Sequence, residues 1–287
     1  MIAVDWGTSR FRAYHMDGSR ILDRVETDQG ILAVQGRFAG ALRDAVGPWL
    51  TVDNRILLSG MVGSRQGWVE APYVPCPAGA AELAGALTPV PFDGATVLLL
   101  PGLSGTGADG VPEVMRGEEA QVMGELDHIG AGVACLPGSH SKWVRLSAGR
   151  IAGFTTHLTG EAFTALRQHT ILGRLMVDGP HDALAFQGGV TRSGEAGGLL
   201  HHLFGVRALG LMGTLPDTGA ASYLSGLLIG HEVRAAAPAG PVHLIGTPEL
   251  CARYAEAIAL RGGSTTLGDR DAAAHGLALV GSLARWT

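Results

Sequence analysis

The sequence predicts an α/β chain of two domains, each built on a mixed β-sheet. Three observations predict it. The chain has 287 residues, and a domain takes roughly 100–200. Apolar runs that end in glycine alternate with segments of helical periodicity, as buried strands and crossover helices do. A unit of strand, Gly/Ser/Thr turn, strand, turn, strand occurs near residue 2 and again near residue 133. It reads as a duplication at domain scale; two unrelated hairpins are the other reading.

Taken in order, residues 2–6, 11–15 and 21–26 read as strands. Gly7-Thr8-Ser9 and Asp17-Gly18-Ser19 separate them as hairpin turns, which gives an antiparallel meander. Residues 38–50 have helical periodicity. Residues 56–59 and 96–100 are apolar runs that suit buried parallel strands. Residues 117–126 read as a helix. The second unit follows, with strands at 133–136, 143–146 and 151–157. The remainder is mostly helical, at 160–176, 193–209, 223–234, 248–261 and 271–283, with short strands at 242–245 and 264–267. Pro248 stands in the first turn of its helix, where its missing N–H costs nothing. The expected boundary is Gly117, giving domains 1–117 and 118–287, with the last helix available to pack back on the first domain.

Composition narrows the function classes. Net charge is -5, charged residues are 16%, and no basic block occurs, so nucleic acid is not an expected partner. The first residues are expected to form neither a leader peptide nor a membrane span, and no run approaches roughly 18 apolar residues. A cytoplasmic protein without membrane partners is expected. Cys76, Cys135 and Cys251 are too widely spaced for a disulfide framework or a metal pair and read as free thiols. His201 and His202 have no metal-ligand spacing. A homodimer is compatible with such a chain.

Four segments carry candidate chemistry. In Asp5-Trp6-Gly7-Thr8-Ser9, Gly7 permits a turn whose N–H groups face an anion, Thr8 and Ser9 add hydroxyl donors, and Asp5 suits a Mg²⁺ ion. Arg10 or Arg12 would add charge near a transferring phosphoryl group. The GxxxxGK[ST] spacing is absent, and an ordinary Asp–Gly turn is the other reading. Leu136 to Lys142 repeats the logic, with Gly138, Ser139, His140 and Lys142 as donors. Arg116-Gly117-Glu118-Glu119 places carboxylates at a helix start, where acids are also favoured by the helix dipole. Gly246-Thr247, between a strand and a helix, allows a flat ring to approach the backbone; it is also common α/β punctuation.

DWGTSRFRAY, LSGMVGSRQGWVEAPYVPCPAG, MRGEEAQ, LPGSHSKWV, LTGEAF, MGTLPD, YLSGLLIG and IGTPEL occur in that order along nearly the whole chain. Together they resemble the 2-dehydro-3-deoxygalactonokinase family. The resemblance implies the two-domain actin-like (ribonuclease H-like) ATPase fold with an interdomain cleft, and ATP and Mg²⁺ as cofactors. It implies a small-molecule sugar acid as substrate, 2-dehydro-3-deoxy-D-galactonate, phosphorylated at its 6-hydroxyl in galactonate catabolism. It carries Asp5, Gly7, Thr8 and Ser9 onto the first phosphate motif, with Asp5 toward the metal. Gly138, Ser139, His140 and Lys142 fall on the second, and Gly246 and Thr247 on the adenosine turn. Glu118 stands where related kinases have the acid of a Gly-Asp pair, so it is the expected general base, with Glu119 the alternative and Lys142 and Arg12 offsetting charge. Met61, Ser64, Arg65, Gln66, Trp68 and Tyr73, with Gln29 and Gly30, are the expected substrate contacts, Arg65 and Ser64 for the carboxylate. A structured surface loop stapled by Trp68 and Tyr73 is the competing reading. The alternatives in function are a kinase for a related sugar acid or ketose, or a non-catalytic nucleotide- or sugar-binding regulator on the same fold. A degenerate regulator would lack the acid or a hairpin, and this chain has both.

Overall fold

The computed structural model describes residues 1–107 and 109–286. It divides into two compact units. One comprises Met1–Ala131, Val144–Phe154 and the chain from Gly268 on; the other comprises Gly132–Trp143 and Thr155–Leu267.

The chain opens with β1 (Ile2–Trp6), β2 (Phe11–Asp17) and β3 (Arg20–Thr27). All five residues of β1 are buried, because the strand lies inside its sheet with a neighbour on each side. Helices α1 (Ile31–Val34) and α2 (Phe38–Val46) follow, then β4 (Arg55–Ser59). The helical periodicity expected to residue 50 breaks at Gly47-Pro48, where the chain tightens into a 3-10 turn over Gly47–Thr51. Next come β5 (Tyr73–Pro75), α3 (Ala80–Gly85), β6 (Thr88–Val90), β7 (Thr96–Leu99), β8 (Gly102–Thr106) and β9 (Pro112–Met115). Sheet order is β3-β2-β1-β4-β7-β6, and β5-β8-β9 form a separate three-stranded sheet that the sequence reading missed. β2 runs antiparallel to β1, and β4 runs parallel to both β1 and β7. The first core lies between this sheet and α1–α2, centred on Trp6, Phe11, Phe38 and Leu42.

Helices α4 (Glu118–Gly124) and α5 (Leu126–Ile129) lead to β10 (Val133–Leu136), β11 (Ser141–Ser147) and β12 (Arg150–His157). Helices α6 (Thr159–His169), α7 (Ala183–Arg192), α8 (Gly198–Leu211) and α9 (Ala220–Ala236) follow. The chain continues through β13 (Val242–Leu244), α10 (Pro248–Ala259), β14 (Thr265–Leu267) and α11 (Ala272–Leu283). The sheet order β12-β11-β10-β13-β14 repeats the order β3-β2-β1-β4-β7, with β13 parallel to β10 and β14 parallel to β13. A helix expected at 193–209 is displaced: α7 ends at Arg192 and α8 begins only at Gly198. Among the described residues no helix is long and apolar enough to cross a membrane.

Candidate active site

The first hairpin lies at the carboxyl end of β1, where strand ends of α/β sheets present their ligands. Gly7 N–H donates to the Arg10 carbonyl at 2.9 Å and closes the turn, leaving Thr8 and Ser9 exposed. Asp5, two residues earlier, is buried, and its Oδ2 accepts from Arg12 Nη2 at 2.6 Å. Burial raises the Asp5 pKa, and the Arg12 charge opposes that rise without cancelling it. Arg10 is exposed and reaches Glu26, the residue opposite Arg12 on β3, at 3.5 Å. The segment after β3 supports the turn. Ile31 N–H donates to the Gly7 carbonyl, and Trp6 Nε1–H to the Gln29 carbonyl at 2.8 Å. Gly30 is buried, and a Cβ there would stand 2.3 Å from the Thr8 carbonyl oxygen.

The acidic helix start meets the ends of β1 and β4 at Gly60. A Cβ on Gly60 would stand 2.8 Å from the Trp6 carbonyl oxygen and 3.3 Å from Asp5 Oδ1; one on Gly117 would stand 3.2 Å from Gly60 Cα. Both glycines have φ near +100° (95° and 105°), where a side chain would also be strained. The two glutamates of α4 differ sharply. Glu119 is 0% exposed, and both of its carboxylate oxygens lie 2.8 Å from the Gly117 N–H. Burial, with the neighbouring Glu118 charge adding to it, pushes the Glu119 pKa up to about 8. Glu118 is only partly buried, and its carboxylate accepts from the Arg116 N–H at 3.1 Å.

The loop at 60–73 is held by its own backbone, with Trp68 N–H on the Val62 carbonyl at 2.8 Å and Ala71 N–H on the Gly63 carbonyl at 3.0 Å. Arg65 is exposed and pairs with Glu70 at 3.0 Å; Gln66 is exposed; Ser64 Oγ donates to the Met61 carbonyl. Three of the expected substrate contacts also pack inward. Trp68 stacks on Phe38 at 6.0 Å and meets Phe92 edge-on, and Met61 packs on the same core. Gly30 faces hairpin backbone. These residues support the loop and the turn from beneath. Tyr73 is half-exposed, with the Arg116 guanidinium 4.4 Å above its ring.

The second hairpin follows the same plan at the end of β10. Ser139 and His140 are exposed, and Lys142 is buried to 4% exposure. Glu161 N–H donates to the Ser139 carbonyl at 3.0 Å, and a Cβ on Gly160 would stand 2.4 Å from the Gly138 carbonyl oxygen. Behind the turn, Ser141 Oγ and Tyr254 OH are 2.8 Å apart, and Tyr254 OH and Trp143 Nε1–H both donate to buried Glu232 at 2.7 Å. A pocket opens beside Gly138, walled by Thr159, Phe163, Leu228, Leu250 and Arg253. Gly246 stands next to it, with a Cβ there lying 3.5 Å from the Pro137 carbonyl oxygen. The exposed Thr247 opens α10, its carbonyl accepting from Cys251 N–H. Phe163 and Arg253 were not singled out in the sequence. Leu228 belongs to YLSGLLIG, whose clustering of small and apolar residues was the available signal.

Among the described residues no group of three or more His, Cys, Asp or Glu could hold a metal ion. The donor set does fit Mg²⁺, which is ordinarily held by one or two carboxylates together with waters and phosphate oxygens. Asp5 supplies one carboxylate, and the Ser59 hydroxyl, buried without a partner, stands at the β4 position paired with Asp5. The pocket beside Gly138 joins apolar walls from Phe163, Leu228 and Leu250 to the polar residues Thr159, Ser225 and Arg253.

The family model described as 2-keto-3-deoxy-galactonokinase matches residues 5–280. A Rhizobium meliloti (strain 1021) protein named as a probable 2-dehydro-3-deoxygalactonokinase is 37% identical over 99% of this chain and 97% of its own length. The 2-dehydro-3-deoxygalactonokinase of Escherichia coli (strain K12) is 33% identical over 92% and 91%. A crystal structure of a Sinorhizobium meliloti protein that carries the same kinase name superposes with a TM-score of 0.88 at 36% identity, over 98% of this chain and 95% of that one. At 12% identity, the activator of the 2-hydroxyisocaproyl-CoA dehydratase from Clostridium difficile, solved with bound ADPNP, superposes with a TM-score of 0.52 over 98% and 94%, which shows the shared fold.

Proposed function

The chain belongs to the 2-keto-3-deoxy-galactonokinase family, a carbohydrate kinase on the actin-like ATPase fold, and from that premise we propose that it transfers the γ-phosphoryl group of ATP to the 6-hydroxyl of 2-dehydro-3-deoxy-D-galactonate. The observation that carries the mechanism is the division of labour at the start of α4. Glu119, sealed from solvent and held largely neutral by burial at pH 7, caps its own helix. Glu118 is only partly buried and takes the proton of the attacking hydroxyl. Thr8 and Ser9, in the hairpin that Gly7 turns, and Gly138, Ser139, His140 and Lys142 in the other, donate to phosphate oxygens. Lys142 and Arg12 offset charge that develops on them. Gly246 and Thr247 seat the adenosine. Asp5 holds Mg²⁺, which when bound neutralises charge on the phosphates. Ser64, Arg65 and Gln66, with the exposed Gln29, contact the sugar acid.

The test is ADP release with ATP·Mg²⁺ and a panel of 2-keto-3-deoxy sugar acids, for the wild type and Glu118→Gln. Preference for the galactonate epimer is expected, with turnover in the variant lower by about 10²–10⁴ and ATP binding retained. Turnover on the gluconate epimer alone would overturn the substrate, and unchanged turnover in the variant would remove Glu118 from the base role.

A further inference from the structure

Arg116 has no place in the scheme above, yet it touches two parts of it. It immediately precedes Gly117 and the start of α4. Its backbone N–H donates to the Glu118 carboxylate at 3.1 Å. Its side chain reaches the other way, into the 60–73 loop, and meets that loop at three points. Nη2 donates to the Ala71 carbonyl at 2.8 Å. The guanidinium plane lies over the Tyr73 ring at 4.4 Å. Nη1 faces Gly63, where a Cβ would stand only 3.0 Å away.

The hydrogen-bonding of this arginine is incomplete. Nε and Nη1 are both buried without a partner. Donors sealed from water and left unpaired destabilise a fold, whereas a flexible apolar chain of similar length would remove them and unpair the buried Ala71 carbonyl instead, so the two choices are closely balanced. Stability alone therefore does not account for an arginine here. What a guanidinium provides, and an apolar chain does not, is a fixed flat link. It is pinned to one carbonyl and one ring on the loop side, and to the base by its own backbone.

We propose that Arg116 is a positioning residue for the sugar acid: it sets the placement of the 60–73 loop relative to Glu118. The inference rests on the reading of that loop as the acid-binding segment. Ser64, Arg65 and Gln66 grip one end of the substrate while Glu118 addresses a hydroxyl, and misplacement of such groups by about 1 Å costs on the order of 10²-fold in rate. The contacts of the Arg116 side chain go to Gly63, Ala71 and Tyr73 and to neither hairpin turn, so its loss should act on the sugar acid more than on ATP.

The test is steady-state kinetics of Arg116→Met and Arg116→Lys, varying sugar acid and ATP separately, with thermal unfolding of each protein. For Arg116→Met the KM for the acid should rise by about tenfold or more and kcat should fall, consistent with lost positioning. The KM for ATP should stay within about twofold, and Tm should move by no more than a few degrees in either direction, because two unpaired donors and one buried carbonyl's partner are lost together. Arg116→Lys should be intermediate, because an ammonium reaches the Ala71 carbonyl but does not lie flat on Tyr73. Unchanged kinetics for both substrates overturn the proposal, and so does a parallel rise of both KM values with a fall in Tm, which marks a structural role only. If Arg116→Met does not fold, the same split between the two KM values in Arg116→Lys decides. A wild type inactive on every sugar acid overturns the kinase reading and this inference with it. A wild type that is active beside an unaffected variant overturns this inference alone.

Discussion

The first hairpin turns over Gly7 and rests on Gly30; the second turns over Gly138 and rests on Gly160. In both, the supporting glycine comes from the segment after the third strand of its meander, and a Cβ on it would meet hairpin backbone at 2.3 or 2.4 Å. The fittings differ. Two residues before its turn glycine the first hairpin has the buried Asp5, while the second has the apolar Leu136. Four residues after, the first has buried Phe11 and the second buried Lys142. The first is locked by an ion pair in its mouth, Asp5 with Arg12. The second is locked from behind by Glu232, which gathers Trp143 and Tyr254. The duplicated part is backbone support, which any anion site on a turn requires. The part that diverged is charge, acid on one hairpin and ammonium on the other.

The comparison breaks most readily at its charges. Asp5→Asn should lower turnover by about 10²–10³ if Asp5 is the carboxylate that holds Mg²⁺. A loss of less than tenfold, measured in saturating ATP·Mg²⁺, would take the metal role from the first hairpin. Lys142→Met should come next, with kcat/KM for ATP falling by about 10–100-fold while the KM for the sugar acid stays near the wild-type value. Equal losses for both substrates would mean that the lysine supports the fold and not the phosphates. Gly30→Ala and Gly160→Ala test the shared support. Each should destabilise by about 1–3 kcal/mol, read as a Tm lower by several degrees. Strongly unequal losses would show that the two supports are not equivalent. The smallest effect belongs to the exposed pair of His140 with Glu161, 2.5 Å apart. Glu161→Ala should cost about 0–1 kcal/mol and leave ATP kinetics nearly unchanged; a tenfold rise in KM for ATP would promote that pair to a phosphate-ordering role.

The hairpins were also the most legible part of the molecule. An apolar run ending in a Gly/Ser/Thr turn leaves few alternatives, and β1 and β10 fall on the residues that pattern indicates. The short strands β5 and β6, three residues each with a proline, carry too little periodicity to stand out. Helix α7 was invisible for a different reason. Gly188-Gly189 reads as a turn, yet a Cβ on Gly189 would stand 2.1 Å from the Tyr223 carbonyl oxygen of α9, so tertiary approach overrides helix propensity. In the site, residue types were legible and their exposure was not. Glu118 and Glu119 are alike in sequence and separate only once one is buried, and Trp68 goes to the core through Phe38 and Phe92.

Helix α4, which bears Glu118, is clamped by the last helix of the chain. A Cβ on Gly124 would stand 1.9 Å from the Ala272 carbonyl oxygen, and one on Gly276 would stand 1.8 Å from that of Ala120. These partners are about 150 residues apart along the chain. Such distant pairings are entropically late in folding, and during synthesis the earlier partner must wait for the later one to leave the ribosome. Until residues 272–283 arrive, α4 lacks this crossing, so the helix that presents Glu118 gains its last packing partner only late in synthesis.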